Sequence, residues 1–170
     1  MIEDDDQEVQ HDEANDEMSA YFNDDVPPKI LLTTSPYAKV VDGVVLCHLP
    51  DGPTAFFKIN SLIFTKNLKK KGESSVHYPE LVLNNFNTRL GHTIARMFAC
   101  LFPQKPMYSG RRVVTFHNQR DYIFFRHHRY EFKKEGEKAA LLELGPRFTL
   151  RLKWLQKEHL IVDMVNMSGS

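Results

Sequence analysis

Alternation of apolar and polar residues, the period-two pattern of β-strands, dominates the chain between residues 29 and 157. Residues 29–35 (KILLTTS) predict a buried strand with a polar exit. The runs GVVLCHL and TAFFKIN (43–49 and 54–60) predict a hairpin, because the Pro-Asp-Gly-Pro sequence between them is strong turn chemistry. The first third of the fold is therefore expected to consist of strands.

One segment has helical periodicity instead. Within residues 83–102, apolar side chains recur at spacings of three and four, at Phe86, Leu90, Ile94, Met97, Phe98 and Leu101. Asn84 or Asn85 can cap the start, and Pro103 ends the helix. Arg89 and Arg96 share another face, which can lie along a phosphate backbone or form a solvent-facing rim.

Residues 111–134 (RRVVTFHNQRDYIFFRHHRYEFKK) predict a second hairpin, with its tight turn within residues 118–121. On its second strand, one face holds Tyr122, Phe124, Arg126, His128, Tyr130 and Phe132, and the other holds Ile123, Phe125, His127, Arg129 and Glu131. Neither face is wholly apolar. Cations beside flat rings suit RNA, in which phosphates supply charge and unpaired bases supply π faces. The alternative is an ordinary half-buried hairpin whose Arg and Lys stems lie over apolar surface.

The last strand has the clearest alternation, after a bend at Gly145-Pro146. One face holds Phe148, Leu150, Leu152 and Trp154 and is expected to pack on the helix; the other holds Arg147, Thr149, Arg151 and Lys153. The cations of that second face are spaced about 6.5–7 Å apart along a strand. Residues 66–75 (KNLKKKGESS) are a further basic segment, either a phosphate-binding loop or a solvated one.

Charge is divided sharply along the 170-residue chain, whose formal net charge is zero. Residues 1–25 contain eleven Asp and Glu and no Lys or Arg, so the remainder carries eleven acids against twenty-two bases. A strongly basic body favours a polyanionic partner. The acidic segment is interpreted as solvated disorder, with a solubilising tail or an internal competitor for the basic face as alternatives.

Catalytic and metal-binding patterns are absent from the sequence. Eight histidines occur, but without H-E-x-x-H or a Cys/His cluster at zinc spacing, and there is no nucleotide-binding glycine motif or G-x-S-x-G. A metal-free ribonuclease using His117 would need a second imidazole that the sequence does not place. We therefore expect no enzymatic activity, metal, cofactor or small-molecule substrate.

The cysteine pattern and the absence of targeting segments predict a reducing compartment. Cys47 and Cys100 form no C-x-x-C motif, and the acidic N-terminus does not resemble a secretory signal. No apolar run approaches the roughly 20 residues of a membrane helix, so no membrane partner is expected.

Five segments together carry a family resemblance. They are PKILLTTS (28–35), LCHLPDGPTAFFKI (46–59), LNNFNTRLGHTIARMFACLFP (83–103), GRRVVTFHNQRDYIFFRHHRYEF (110–132) and LELGPRFTLRLKWLQK (142–157). In this order they resemble the Brix-domain proteins of eukaryotic ribosome assembly, over most of residues 28–157.

The resemblance implies a nuclear, nucleolar and non-enzymatic factor that binds precursor rRNA of the large subunit. It also implies an α/β (α+β) fold of two similar halves resembling anticodon-binding domains, and other nucleolar assembly factors of the pre-60S particle as protein partners. The predicted hairpin at residues 111–134 coincides with the segment of the family likened to an RNA-binding region of sigma factors.

The chain departs from the family pattern at two places. Only residues 36–42 separate the first strand from the next hairpin, where the family has several dozen residues, and the sequence after Lys157 does not resemble the family. We therefore expect an acidic disordered tail (1–27), an incomplete Brix domain (28–157) and an unstructured tail (158–170). Within the domain, residues 28–65 are a poorly packed remnant of the first half, and residues 76–157 are a mostly intact second half with a long helix on an antiparallel-rich sheet.

Charge, rings and resemblance together select the candidate RNA-binding residues. They are Arg89, Arg96, Arg111, Arg112, His117, Arg120, Arg126, His128, Arg129, Arg147, Arg151 and Lys153. The alternative is a protein–protein scaffold of the pre-ribosome whose basic surface meets acidic proteins without contacting RNA.

Overall fold

The computed structural model of the chain describes residues 29–33, 42–49, 52–133 and 138–157, and for residues 29–33, 133 and 138 the backbone alone. The predicted tails, 1–27 and 158–170, lie outside the described residues. Within the described part, no helix has the length and apolar character needed to cross a membrane.

The fold is mixed α/β, as predicted, and is built on one eight-stranded sheet. Its elements are β1 (Lys29–Thr33), β2 (Gly43–Leu49), β3 (Thr54–Ile63), β4 (Glu80–Asn84), α1 (Arg89–Ala99), β5 (Arg112–Gln119), β6 (Tyr122–Lys133), β7 (Lys138–Glu143) and β8 (Arg147–Gln156). The strand order is β1-β2-β3-β8-β6-β5-β4, and β7 pairs with the second half of β6. The pair β4–β5 is parallel, and the other pairs are antiparallel.

Both predicted hairpins are confirmed. The β2–β3 hairpin has the expected strands, although β3 extends to Ile63. In the β5–β6 hairpin, the two loop residues Arg120 and Asp121 have φ angles of 52° and 64°. A two-residue loop with both residues in the left-handed region matches the twist of the strands that it joins.

The predicted start of the helix is wrong. Residues 80–84 form β4, which pairs with β5, and the chain turns at Asn85, where φ is 62°. The helix begins at Arg89, after Thr88, whose Oγ1 accepts a hydrogen bond from the Gly91 amide at 2.9 Å. A short apolar run such as residues 81–83 fits a buried strand or a helix equally well. In this fold it forms a strand, because it can pair with the edge of β5.

The apolar stripe of α1 is narrower than predicted. Ile94, Met97 and Phe98 are buried, whereas Leu90 is 50% exposed and Leu101 is 36% exposed. The helix is shorter than the predicted one, so that Leu90 lies in its first turn and Leu101 lies beyond its last residue, Ala99.

The core lies between α1 and one side of the sheet. Phe98 of α1 stacks on Phe116 of β5, with ring centroids 4.3 Å apart, and its ring is 5.2 Å from that of Phe57 of β3. Leu46 and Ala55 of the β2–β3 hairpin, with exposures of 1% and 0%, belong to the same cluster. The expectation of a poorly packed first half is therefore wrong for β2 and β3, because β3 pairs with β8 and extends the core continuously.

A bulge corrects the predicted faces of β8. Phe56 pairs with Trp154 and the next residue, Phe57, pairs with Leu152, so Lys153 is the extra residue. Beyond the bulge the alternation is reversed: Leu155 packs against the core, and Trp154 stacks on Phe56 with centroids 5.8 Å apart. Trp154 was expected on the core face, and a bulge that depends on the partner strand is invisible to a period-two pattern.

Candidate nucleic-acid interface

The side of the sheet away from α1 gathers several of the cations that the strands carry. Paired residues of antiparallel neighbours point to the same side, so the register identifies the members of this side. We call it the outer face; its members are Lys58 of β3, His117 of β5, Tyr122, Phe124, Arg126 and His128 of β6, and Arg147 and Arg151 of β8.

Two like charges face each other at one end of the outer face. Lys58 and Arg151 are direct partners in the β3–β8 register, and both are exposed. Among the described residues, no carboxylate lies within ion-pair distance of either side chain. Like charges placed directly opposite each other are destabilising. A bound anion would relieve that repulsion, so the pair has the electrostatics of an anion site.

Aromatic rings lie beside these cations. The Arg151 guanidinium carbon is 5.4 Å from the centroid of the Tyr122 ring, and that of Arg126 is 5.9 Å from the Phe124 ring. These separations are within cation–π range. The guanidinium planes and rings together form a surface on which bases can stack while phosphates meet the charges.

One carboxylate offsets part of the positive charge. Glu143 accepts a hydrogen bond at 2.8 Å from Arg147 Nε and is also bound by the Arg147 terminal nitrogen, which makes a bidentate ion pair. Glu143 is also the partner of His128 in the β6–β7 register. Burial lowers the pKa of His128; the Glu143 carboxylate opposes that shift, and Arg126 and Arg147 add to it. Lys58 and Arg151, at the other end of the outer face, therefore carry positive charge that no described carboxylate offsets.

The Arg112 side chain forms hydrogen bonds within the protein, on the opposite side of the sheet. Its terminal nitrogen donates to the carbonyl oxygens of Ser75 and His77, at 2.5 and 2.6 Å, and its Nε donates to His127 Nε2 at 3.2 Å. Because His127 Nε2 accepts that bond, the ring proton is on Nδ1, which lies 3.0 Å from the Gly145 carbonyl oxygen and donates to it. Burial lowers the pKa of His127, which keeps the ring in this neutral form.

The remaining candidates lie away from the outer face. Arg129 is the β-sheet partner of Arg112, and its side chain is on the helix side with the buried part of β6. Arg89 and Arg96 are on α1, and Arg111 and Arg120 flank the two ends of β5. The exposed Lys153 is the bulge residue of β8. The structure therefore brings together His117, Arg126, His128, Arg147 and Arg151 and separates the other candidates from them.

Sequence reasoning missed Lys58, because its significance depends on strand pairing. Lys58 is a single cation within the apolar run TAFFKIN, a weak signal by itself. Only the β3–β8 register places it against Arg151. Pairing of strands that are distant in sequence cannot be deduced from local periodicity.

No metal site accompanies these cations in the part of the chain that the structure describes, where no group of three His, Cys, Asp or Glu residues could hold an ion. His117 lies on the outer face opposite Phe124, and its neighbours in β5 and β6 include no second histidine in register with it. The arrangement is suited to binding an anion.

Comparison with known proteins identifies relatives of most of the chain. A family model described as the Brix domain matches residues 13–154. A Brix domain-containing protein of Caenorhabditis elegans is 55% identical over 207 residues, which covers 92% of this chain and 54% of that protein. Ribosome production factor 1 of Xenopus laevis is 46% identical over 203 residues, covering 89% of this chain and 59% of that protein. Ribosome production factor 1 of Saccharomyces cerevisiae is 54% identical over 119 residues, covering 70% of this chain and 40% of that protein.

These curated relatives are longer than this chain, which spans 54% of the worm protein and 59% of the Xenopus protein. The worm alignment, at 207 residues, is longer than the whole 170-residue chain. That relative therefore has residues inside the aligned region that this chain lacks. That the missing residues fall within 36–42 stays a prediction.

Among solved structures, a probable ribosomal biogenesis protein from Aeropyrum pernix K1 superposes with a TM-score of 0.48 at 8% identity, over 79% of this chain and 72% of that one. Similarity at this level does not by itself assign the fold.

Proposed function

Because this chain belongs to the Brix domain family, we propose that it acts in ribosome biogenesis as an rRNA-binding assembly factor of the large (60S) subunit. Relatives named Ribosome production factor 1 support the ribosomal role. Precursor rRNA is the proposed ligand, other assembly factors of the pre-60S particle are the proposed protein partners, and the nucleolus is the proposed location. The proposed role is binding, without catalysis or a cofactor.

The single observation that supports RNA binding most directly is the Lys58–Arg151 pair on the outer face. Folding has placed two cations against each other without a described acid to neutralise them. Such an arrangement is favourable when the protein meets a polyanion, because each bound phosphate releases counterions and removes the repulsion. Tyr122 and Phe124 then offer rings to the bases.

A salt titration of RNA binding tests this proposal. For single-stranded RNA, the slope of log affinity against log salt falls by about 0.7 for each phosphate contact. The double variant Lys58→Ala/Arg151→Ala should therefore flatten the slope by about 1.4. The matched control is Arg89→Ala/Arg111→Ala, which removes two exposed cations away from the outer face and should leave the slope nearly unchanged. Equal flattening by both double variants would refute the assignment of RNA to the outer face.

A second candidate function, a protein scaffold within the pre-ribosome, is favoured by a different surface. On the helix side, a cavity of about 300 Å³ is lined only by apolar residues, among them Leu46, Phe57 and Phe148. Phe64 and Leu101 of its lining are 50% and 36% exposed. Crosslinking of the full chain to RNA in extracts, with the sites mapped to residues, separates the two functions, because a scaffold would give no crosslinks on the outer face.

A further inference from the structure

The unneutralised cations of the outer face belong to a chain that carries its own polyanion. Residues 1–25 hold eleven carboxylates and no Lys or Arg, and they end four residues before β1. In the described part of the chain, the ion pair of the outer face is Arg147 with Glu143, whereas Lys58 and Arg151 have no acidic partner. Residues 26–170 as a whole carry a surplus of eleven positive charges, which equals the surplus of negative charge in residues 1–25.

The sheet places the start of β1, which follows the acidic segment in the chain, close to these cations. β1 is separated from β8 by β2 and β3, a distance of about 14 Å across the sheet at 4.7–4.9 Å per strand. The registers place Lys29 near the end of the sheet at which Thr54 pairs with Gln156, a few residues along the strands from Arg151. Combining both directions, the backbone at Lys29 lies roughly 25 Å from that at Arg151.

The length of the acidic segment matches this separation. With the chain statistics of a flexible linker, 25 residues have a root-mean-square end-to-end distance of about 25–30 Å. The effective concentration of a tethered group is highest when the reach of its linker equals the span, and it is then of the order of 1 mM. Because charges are screened over about 8 Å at physiological salt, the carboxylates must come into contact with the cations to act on them.

We propose that the acidic segment, residues 1–25, binds in cis to Lys58 and Arg151 and competes with RNA for the outer face. The inference rests on the proposed function, since it adds regulation to the same site. The contact neutralises the facing pair when RNA is absent, and RNA displaces it by offering phosphates together with bases that stack. The chain therefore binds weakly to anions that have no stacking groups. It binds selectively to an RNA whose phosphates contact the cations while its bases stack on the rings.

The expected strength of the competition follows from the tether. An effective concentration of about 1 mM against a segment that binds the cations with a dissociation constant of the order of 0.1 mM weakens RNA binding roughly tenfold. The effect should decrease as salt is raised, because both the segment and the RNA bind through charge.

The test uses the full chain with its length unchanged. In the neutral variant, the eleven acids of residues 1–25 are replaced by Asn and Gln, and in the matched control the same 25 residues are shuffled with all acids retained. Binding of a fluorescent single-stranded RNA is measured by anisotropy at low and at high salt. The neutral variant should bind roughly tenfold more tightly at low salt with a smaller gain at high salt, whereas the shuffled control should match the native chain.

A second readout does not depend on RNA. Carbodiimide links carboxylates to amines in direct contact, so peptide mapping should find residues 1–25 joined to Lys58. The exposed Lys69 and Lys71 of the loop beside β7 serve as comparison sites. Equal linkage at all three lysines would overturn the assignment of the acidic segment to the outer face.

The outcomes distinguish the two claims. Equal RNA affinity of the native chain and the neutral variant overturns the competition and leaves the proposed function standing. If neither chain binds RNA, the proposed function fails and the competition fails with it. Tighter binding by the neutral variant, together with selective linkage at Lys58, supports both.

Discussion

Two arginines in similar sequence contexts should affect different properties, stability and RNA affinity, when each is replaced by alanine. Arg112 and Arg151 both lie in basic strands and were both expected to bind RNA. The structure uses the guanidinium group of Arg112 internally, for hydrogen bonds to Ser75, His77 and His127. Arg151 is exposed and opposes another cation. We therefore expect Arg112→Ala to act on stability and Arg151→Ala to act on RNA affinity.

The magnitude for Arg112→Ala follows from the bonds that it removes. A hydrogen bond to a charged group contributes about 1.5–3 kcal/mol. Arg112 makes three such bonds, but its side chain is only half-buried, so a loss of about 3 kcal/mol is expected for the set. In a chain of this length, that corresponds to a fall in Tm of about 6–12 °C. Arg151→Ala should change stability by less than about 0.5 kcal/mol, because it removes a surface charge without removing a hydrogen bond.

Thermal unfolding and RNA anisotropy on the same preparations provide the assay. Arg112→Lys keeps the charge but lacks the planar fork, so it should recover only part of the lost stability. The salt slope of RNA binding should be reduced by Arg151→Ala and unchanged by Arg112→Ala, measured at a temperature at which both variants are folded. If Arg112→Ala melts with the native chain and also flattens the salt slope, the internal role of Arg112 is refuted.

Three further predictions concern the core and its titrating groups. Leu155→Ala should cost about 2–5 kcal/mol in urea unfolding, more than Trp154→Ala, because Leu155 packs on the core while Trp154 is 38% exposed; the reverse ranking would place the β8 bulge elsewhere. Phe116→Ala should cost about 3–5 kcal/mol, since its ring contacts Phe98, Phe102 and Phe125, and a loss under about 1 kcal/mol would contradict the aromatic core. The lowered pKa values of His127 and His128 mean that the unfolded chain binds protons first, so the stability they contribute is complete above about pH 6.5 and is lost as the pH falls below it. A urea midpoint that does not fall between about pH 7.5 and about pH 5.5 would contradict this direction.

The sequence by itself determined the local features of this protein. The two-residue period identified the strands of both hairpins, and the Asn-Gln-Arg-Asp segment was sufficient to locate the β5–β6 turn. The charge division between residues 1–25 and the remainder is also readable from the sequence, and so is the concentration of cations and rings in β6 and β8. These features depend on neighbours along the chain, and local sterics and side-chain periodicity encode them.

The tertiary structure alone decided which of these residues act together. It paired Lys58 with Arg151, reversed Trp154 and Leu155 through a bulge, and engaged Arg112 in internal hydrogen bonds. It also converted residues 80–84 from a predicted helix start into a strand beside β5. Each of these outcomes depends on the register between strands that are distant in sequence, and that register minimises the free energy of the whole sheet, so no single segment contains the information.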